Sequence, residues 1–280
     1  MTVAVIVDSS SAITKEVAEA YHLRVVPLHL MWGKKEYADW VDMTPEEFYA
    51  RLKTEKEAWP TTSGSVQGEF LKAFEELRGK VDGVVAVTLS PDTPSAGYRS
   101  AIMAKEMMEG LPIEVVDSHR TVVAEGLVAT AAAQAATAGA GLEEVVKAAQ
   151  SVIPKINIFF NVGSISYFLR LGRISESEVE RKEDSHIITI REDGKITPFE
   201  KYPTREEARH RLRELVKEKA RKDTPLHAAV FHAAALKEAE EFKKEIASEY
   251  DCAELWIGEA SPVLAIHVSP DTLGIAFYNE

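Results

Sequence analysis

Over the first half of the chain, short apolar runs rich in β-branched residues alternate with stretches of helical pattern. Val3-Ala4-Val5-Ile6-Val7, Val84-Val85-Ala86-Val87-Thr88-Leu89 and Ile113-Glu114-Val115-Val116-Asp117 read as strands, each followed by helical sequence. Val25 to Leu30 reads as another strand. Runs this continuous suit a parallel sheet covered on both faces. Thr14 is positioned to cap the first helix. Thr44-Pro45-Glu46-Glu47 is a helix start, with Thr at the cap, Pro in the first turn and Glu three residues on.

The second half reads differently. His186–Ile190 and Ile196–Phe199 flank a turn at Glu192-Asp193-Gly194 and predict a hairpin. A charged helix follows from Arg205 to Lys222, then a strand at His227–Phe231 and a helix at Leu236–Ser248. Further strands are expected near Leu255, at Val263–Val268 and at Leu273–Tyr278. The pattern predicts two α/β domains: a parallel-sheet domain over residues 1–158 and a mixed α/β domain over 159–280. The alanine-rich segment Thr121–Gly141 is interrupted by Glu125, Gln134 and Gly139. It reads as a close-packed internal helix, because a membrane span needs about 20 strongly apolar residues.

Charge narrows the partners. With 45 acidic against 33 basic residues the net charge is −12 and no basic run occurs, which disfavours nucleic acid and anionic membrane surfaces. Cys252 is the one cysteine, so neither a disulfide within the chain nor a cysteine-based zinc site is expected. Met1-Thr2 runs straight into an apolar strand with no basic segment before it, which points to the cytoplasm.

Candidate chemistry concentrates in a few loops. Pro60 to Phe70 packs Thr62, Ser63 and Ser65 ahead of an amphipathic run, with a helix expected to begin near Ser65 or Val66. Free amides at a helix start, joined by hydroxyls, hold a small anion; helix capping is the alternative. Ser95 offers a hydroxyl at another expected helix start, with the same two readings. Asp8, Ser9, Ser90, Asp92, Asp117 and Ser118 fall at carboxyl ends of parallel strands, where ligands of open sheets sit; for Asp8 and Asp117 loop hydrogen bonding and capping is the default reading, ahead of a ligand role. Arg170 and Arg173 flank Gly172, for C-capping or for an anion. His267 sits in an apolar segment, as a core histidine or facing a buried polar ligand. Nucleophile-elbow, P-loop, complete dinucleotide-binding and His-Glu-x-x-His signatures are absent, and the acidic residues form no metal-like cluster.

The order of these segments carries more than any one of them. A Val-Asp-Ser-Ser start is followed by Thr62-Ser63, a Ser95-x-x-Tyr98-x-Ser100-Ala101 helix start, Val116-Asp117-Ser118, Gly172-Arg173-Ile174 and His267-x-x-Pro270. Together they resemble the DegV family of bacterial fatty-acid-binding proteins, from Val7 to Tyr278. The resemblance implies a ligand site between the two domains, with the carboxylate of a long-chain fatty acid such as palmitate held by Thr62, Ser63, Ser95 and His267, and Arg170 within reach. It implies an apolar tunnel for the acyl chain, no cofactor, and in some members a separate ATP-using fatty acid kinase that phosphorylates the bound acid. The chain departs from the family at Gly64-Ser65-Val66, Leu171 and Ser269/Asp271, which bears on loop geometry and kinase docking.

Two other functions fit the residues. One is a hydrolase or acyltransferase with Ser95 or Thr62 as nucleophile and His267 as base, which requires hydrogen-bond contact between them. The other is a phosphate- or sugar-phosphate-binding module, since hydroxyl-rich helix starts suit phosphate equally.

Overall fold

A computed structural model describes residues 2–55, 58–63, 66–89, 97–179, 181–191 and 193–280. The first sheet is built from β1 (Val3–Asp8), β2 (Leu23–Val26), β6 (Gly83–Thr88) and β7 (Ile113–Asp117), in the order β2-β1-β6-β7 and parallel throughout. Every residue of β6 is buried, as the uninterrupted apolar run requires. Between these strands lie α1 (Lys15–Ala20), capped by Thr14, and α2 (Pro45–Thr54), whose Thr44 and Glu47 form the expected capping box. α3 (Gln67–Leu77) and α4 (Gly97–Met107) pack together beside the sheet.

A small antiparallel sheet was not expected. β3 (His29–Trp32) pairs with β4 (Lys35–Ala38) and β5 (Thr61–Thr62). The expected strand from Val25 to Leu30 is therefore two strands in two sheets. Pro27, which has no N–H to donate and a fixed φ, falls in the break.

The second large sheet has the order β10-β9-β8-β13-β11-β12. Its strands are β8 (Asn157–Asn161), β9 (Ser185–Ile190), β10 (Ile196–Tyr202), β11 (Leu226–Ala233), β12 (Cys252–Glu259) and β13 (Thr272–Asn279). All its pairs are antiparallel except β11 with β12. α8 (Arg205–Lys219) and α9 (Leu236–Glu249) cover its outer face. Along the chain the six-stranded sheet begins at Asn157.

The two sheets meet across α5 (Val122–Thr137), followed by α6 (Leu142–Val152). Residues 122–133 are all buried, because α5 packs on β1 and β6 on one side and on β11 and β13 on the other. A helix that is apolar all round can only be internal. Small residues let it sit close: a Cβ added at Gly258 of β12 would lie 2.5 Å from Val123 Cγ1 and 2.7 Å from the Ala12 carbonyl oxygen. Gly258→Ala should therefore cost about 2–3 kcal/mol by overpacking, measured by urea unfolding. Among the described residues no helix is long and apolar enough to cross a membrane.

Candidate functional site

An apolar cavity with about 760 Å³ of empty space, its open mouth included, lies beyond the carboxyl ends of β1 and β6, against the inner face of the six-stranded sheet. Leu28 and Leu89 line it from the first half, Phe160, Ile188, Ile196 and Phe231 from the second. Val263 and Leu264 of α10 (Pro262–Ala265) complete one side. Polar side chains enter this wall from Ser10, Thr62, Thr121, Arg173 and His267.

Thr62 and Ser63 part company because neighbours in extended chain face opposite ways. Thr62 lines the cavity. Ser63 donates its hydroxyl to Glu36 Oε1 at 2.6 Å and its N–H to the His29 carbonyl at 2.8 Å, and is not in the lining. Ser95, Ser90, Asp92, Gly64 and Ser65 lie outside the described residues.

His267 was expected within a strand. Ser261 instead caps α10, with Pro262 at its first turn, and His267 follows in the turn, its N–H donating to the Leu264 carbonyl at 2.8 Å. The Ser-Pro pair is a helix-start signal that outranks a short apolar run. His267 Nδ1 is buried and has no hydrogen-bond partner among the described residues. Burial, helped by the nearby charge of Arg173, pushes the imidazole down to about 3, so it is neutral at physiological pH.

The guanidinium in the cavity wall is that of Arg173, not Arg170. α7 (Ser166–Arg170) ends in a Schellman turn: Gly172 has φ +64°, and the Arg173 and Gly172 N–H groups donate to the carbonyls of Phe168 (2.9 Å) and Leu169 (3.1 Å). The reversal carries Arg173 to the cavity. Arg170 stays exposed on the last helical turn, its guanidinium 3.8 Å from the centre of the Trp59 ring. Burial lowers the proton affinity of Arg173, and no carboxylate pairs with it among the described residues.

Beside the cavity lies a polar cluster that sequence reading found only in part. Asp8, Asp39 and Glu125 are all fully buried. Ser10 Oγ is 2.6 Å from Asp8 Oδ1 and 2.9 Å from Glu125 Oε2. One hydroxyl proton cannot serve two carboxylates, so one of the acids carries a proton. Asp8 also accepts from the N–H groups of Ser10 and Leu89, whereas Glu125 Oε1 has no partner among the described residues. Asp8 is therefore the anion, and Glu125 is the acid that donates to Ser10 Oγ. Burial raises Asp8 and Asp39 to about 6, and burial plus the charge of Asp8 raises Glu125 well above the carboxylate range. Glu125 was legible as an interruption of the alanine-rich helix; its partners were not.

Two α/β halves sharing an internal helix and enclosing an apolar cavity define the class of the molecule. The chain belongs to the DegV family, described as uncharacterised proteins, which it matches over residues 2–280. It is 30% identical to Protein DegV of Bacillus subtilis (strain 168) over 285 aligned positions, covering 99% of each chain. Its fold matches that of DegV, a fatty acid binding protein from Bacillus subtilis, with a TM-score of 0.88, 28% identity and full coverage of both chains. It also matches a stearic acid-binding protein from Eubacterium ventriosum, with a TM-score of 0.85 and 25% identity over 98% of this chain and 97% of that one.

Proposed function

We propose that this protein binds one long-chain fatty acid, with its acyl chain in the apolar cavity and its carboxylate met by Arg173, His267 and Thr62. The observation that carries this reading is a guanidinium with no carboxylate partner among the described residues, beside a neutral imidazole whose Nδ1 has no partner among them, in the wall of an otherwise apolar cavity. A half-buried cation without a counter-ion is costly, and a carboxylate relieves it. An imidazole neutral at physiological pH donates one N–H to such a group without adding charge. The chain supplies affinity at about 0.8 kcal/mol per buried methylene, and the head group supplies orientation. Ser95 belongs to the same proposal through the family motif alone.

The protein is read as a carrier without turnover of its own, holding the acid for a separate fatty acid kinase that phosphorylates the carboxylate. The state of His267 argues against the hydrolase reading. An imidazole that protonates only near pH 3 is a weak general base at neutrality. The apolar lining argues against a phosphate-binding module.

Native mass spectrometry of the purified protein, followed by denaturing extraction, tests the reading. The expected result is close to one long-chain acid per chain. A protein that stays free of ligand after incubation with a series of fatty acids overturns it. Arg173→Met should weaken palmitate binding about 10- to 100-fold, the loss of one charge-assisted contact, and leave methyl palmitate binding nearly unchanged. Equal losses for acid and ester would remove Arg173 from the head-group site.

A further inference from the structure

We propose that Ile190 is the stop that sets the length of acyl chain the cavity accepts, with a surface pocket behind it that a longer chain enters once the stop is shortened. The inference rests on the fatty-acid reading of the cavity and adds its specificity determinant.

Ile190 lines two cavities at once: the apolar one, and a second with about 1100 Å³ of empty space that opens at the outer end of β8 and β9. Strand register shows where they divide. Ile188 and Ile190 point to the same face of β9, and Thr189 points to the other. Ile188 stands opposite Phe160, and both line the inner cavity alone. One step out along β8, Ile158 lines only the outer pocket. Ile196, paired with Ile190 across the hairpin, lines only the inner cavity. Ile190 is thus the side chain at which one compartment gives way to the other.

The stop lies at the far end from His267. β9 starts at Ser185, whose hydroxyl accepts from Asn161 Nδ2 at 2.8 Å. Asn161 is paired with Leu273, and Ser164 N–H donates to Ser269 Oγ at 2.7 Å, two residues from His267. Ile190 is five residues along β9, a distance of about 17 Å at roughly 3.4 Å per residue. An extended alkyl chain advances about 1.3 Å per methylene for C–C bonds near 1.5 Å. The span is therefore that of a long-chain acyl group.

The backbone around the stop is fixed, so side-chain volume is the free variable. Arg120 is buried, and its Nη1 donates to the carbonyls of Arg191 and His119, both at 3.1 Å. Its Nη2 donates to the Ile153 carbonyl at 2.8 Å. One guanidinium thereby ties the residue after Ile190 to the lead-in of α5 and to the turn before β8. Beyond Ile190 the outer pocket offers Ile158, on the same face of the sheet as Phe160, and Ile156 as an apolar wall for further methylenes; Phe159 and Phe199 line it from the opposite face.

The test is a competition among saturated fatty acids of 12 to 20 carbons, read by native mass spectrometry, for the wild type, Ile190→Val, Ile190→Ala and Ile190→Phe. Ile190→Ala should move the preferred length about two carbons longer, with each added buried methylene worth roughly fourfold in affinity. Ile190→Val should move it the same way by less, and Ile190→Phe should move it shorter. Thermal melts identify the variants that fold, and Ile190→Val and Ile190→Phe decide the matter if Ile190→Ala does not. An unshifted optimum in the folded variants overturns the stop. A wild type that binds none of the acids overturns the fatty-acid reading itself.

Discussion

Glu125→Gln should stabilise this protein at neutral pH and leave it unchanged near pH 4. The sign follows from where the proton resides. The folded-state pKa of Glu125 is raised well above 4.5, so above that pH the folded chain holds a proton that the unfolded chain has released. Stability then falls as pH rises, by about 1.4 kcal/mol per pH unit, until the folded group ionises. Glutamine keeps the one contact the neutral acid makes, donating from Nε2 to Ser10 Oγ, and has no proton to lose. The two stability curves should coincide below pH 4.5 and diverge above it, with Glu125→Gln the more stable. Asp8→Asn should instead cost stability through lost contacts, with no mirror-image pH dependence, because the Asp8 carboxyl is itself raised to about 6. Asp8 accepts from three donors, and an amide would turn an N–H against one of them. Urea unfolding of the three proteins between pH 4 and 7 measures this. Parallel curves for wild type and Glu125→Gln would place the shared proton elsewhere.

That cluster also marks how far the sequence could be read. The capping box at Thr44 and Glu47 was legible because its partners are three residues apart. The internal α5 was legible because alanine and valine on all sides leave no face for water. The fold class followed from such local signals. What escaped depended on contacts between distant segments or on a single turn. Pro27 lies inside an apolar run that reads as one strand, and the chain breaks there into two. Ser261-Pro262 precedes another apolar run that reads as strand, and its helix start turns the segment carrying His267 instead. Arg170 and Arg173 differ by three residues and look equivalent until Gly172 adopts positive φ between them. Ser63 was paired with Thr62 although alternation in an extended chain separates them, and that signal was available. The meeting of Ser10 with Glu125, 115 residues apart, left no trace in the sequence.

Asp39→Ala should be among the most damaging single changes to both stability and ligand affinity. Asp39 is fully buried and joins two walls of the cavity. Its Oδ2 accepts from Ser9 Oγ at 2.6 Å, and Ser9 Oγ in turn accepts from the Leu28 N–H at 3.0 Å. Its Oδ1 accepts from the Val263 N–H at 3.0 Å, and Ser261, the cap of α10, also hydrogen-bonds the Asp39 carboxylate. Leu28, Val263 and Leu264 all line the cavity. Alanine would strand three buried donors at about 1–3 kcal/mol each, so a total near 4 kcal/mol is expected. The released α10 would carry Val263, Leu264 and the His267 turn with it, and fatty-acid affinity should drop even at temperatures where the variant stays folded. Asp39→Asn separates these effects. Its carbonyl still accepts one donor, and its amide can donate to Ser9 Oγ, so the loss should be nearer 1–2 kcal/mol with binding largely kept. Urea unfolding and palmitate titration of both variants give the comparison. A cost below 1 kcal/mol for Asp39→Ala, or equal costs for the two substitutions, would mean that α10 is held by apolar packing and that Asp39 does not secure the cavity wall.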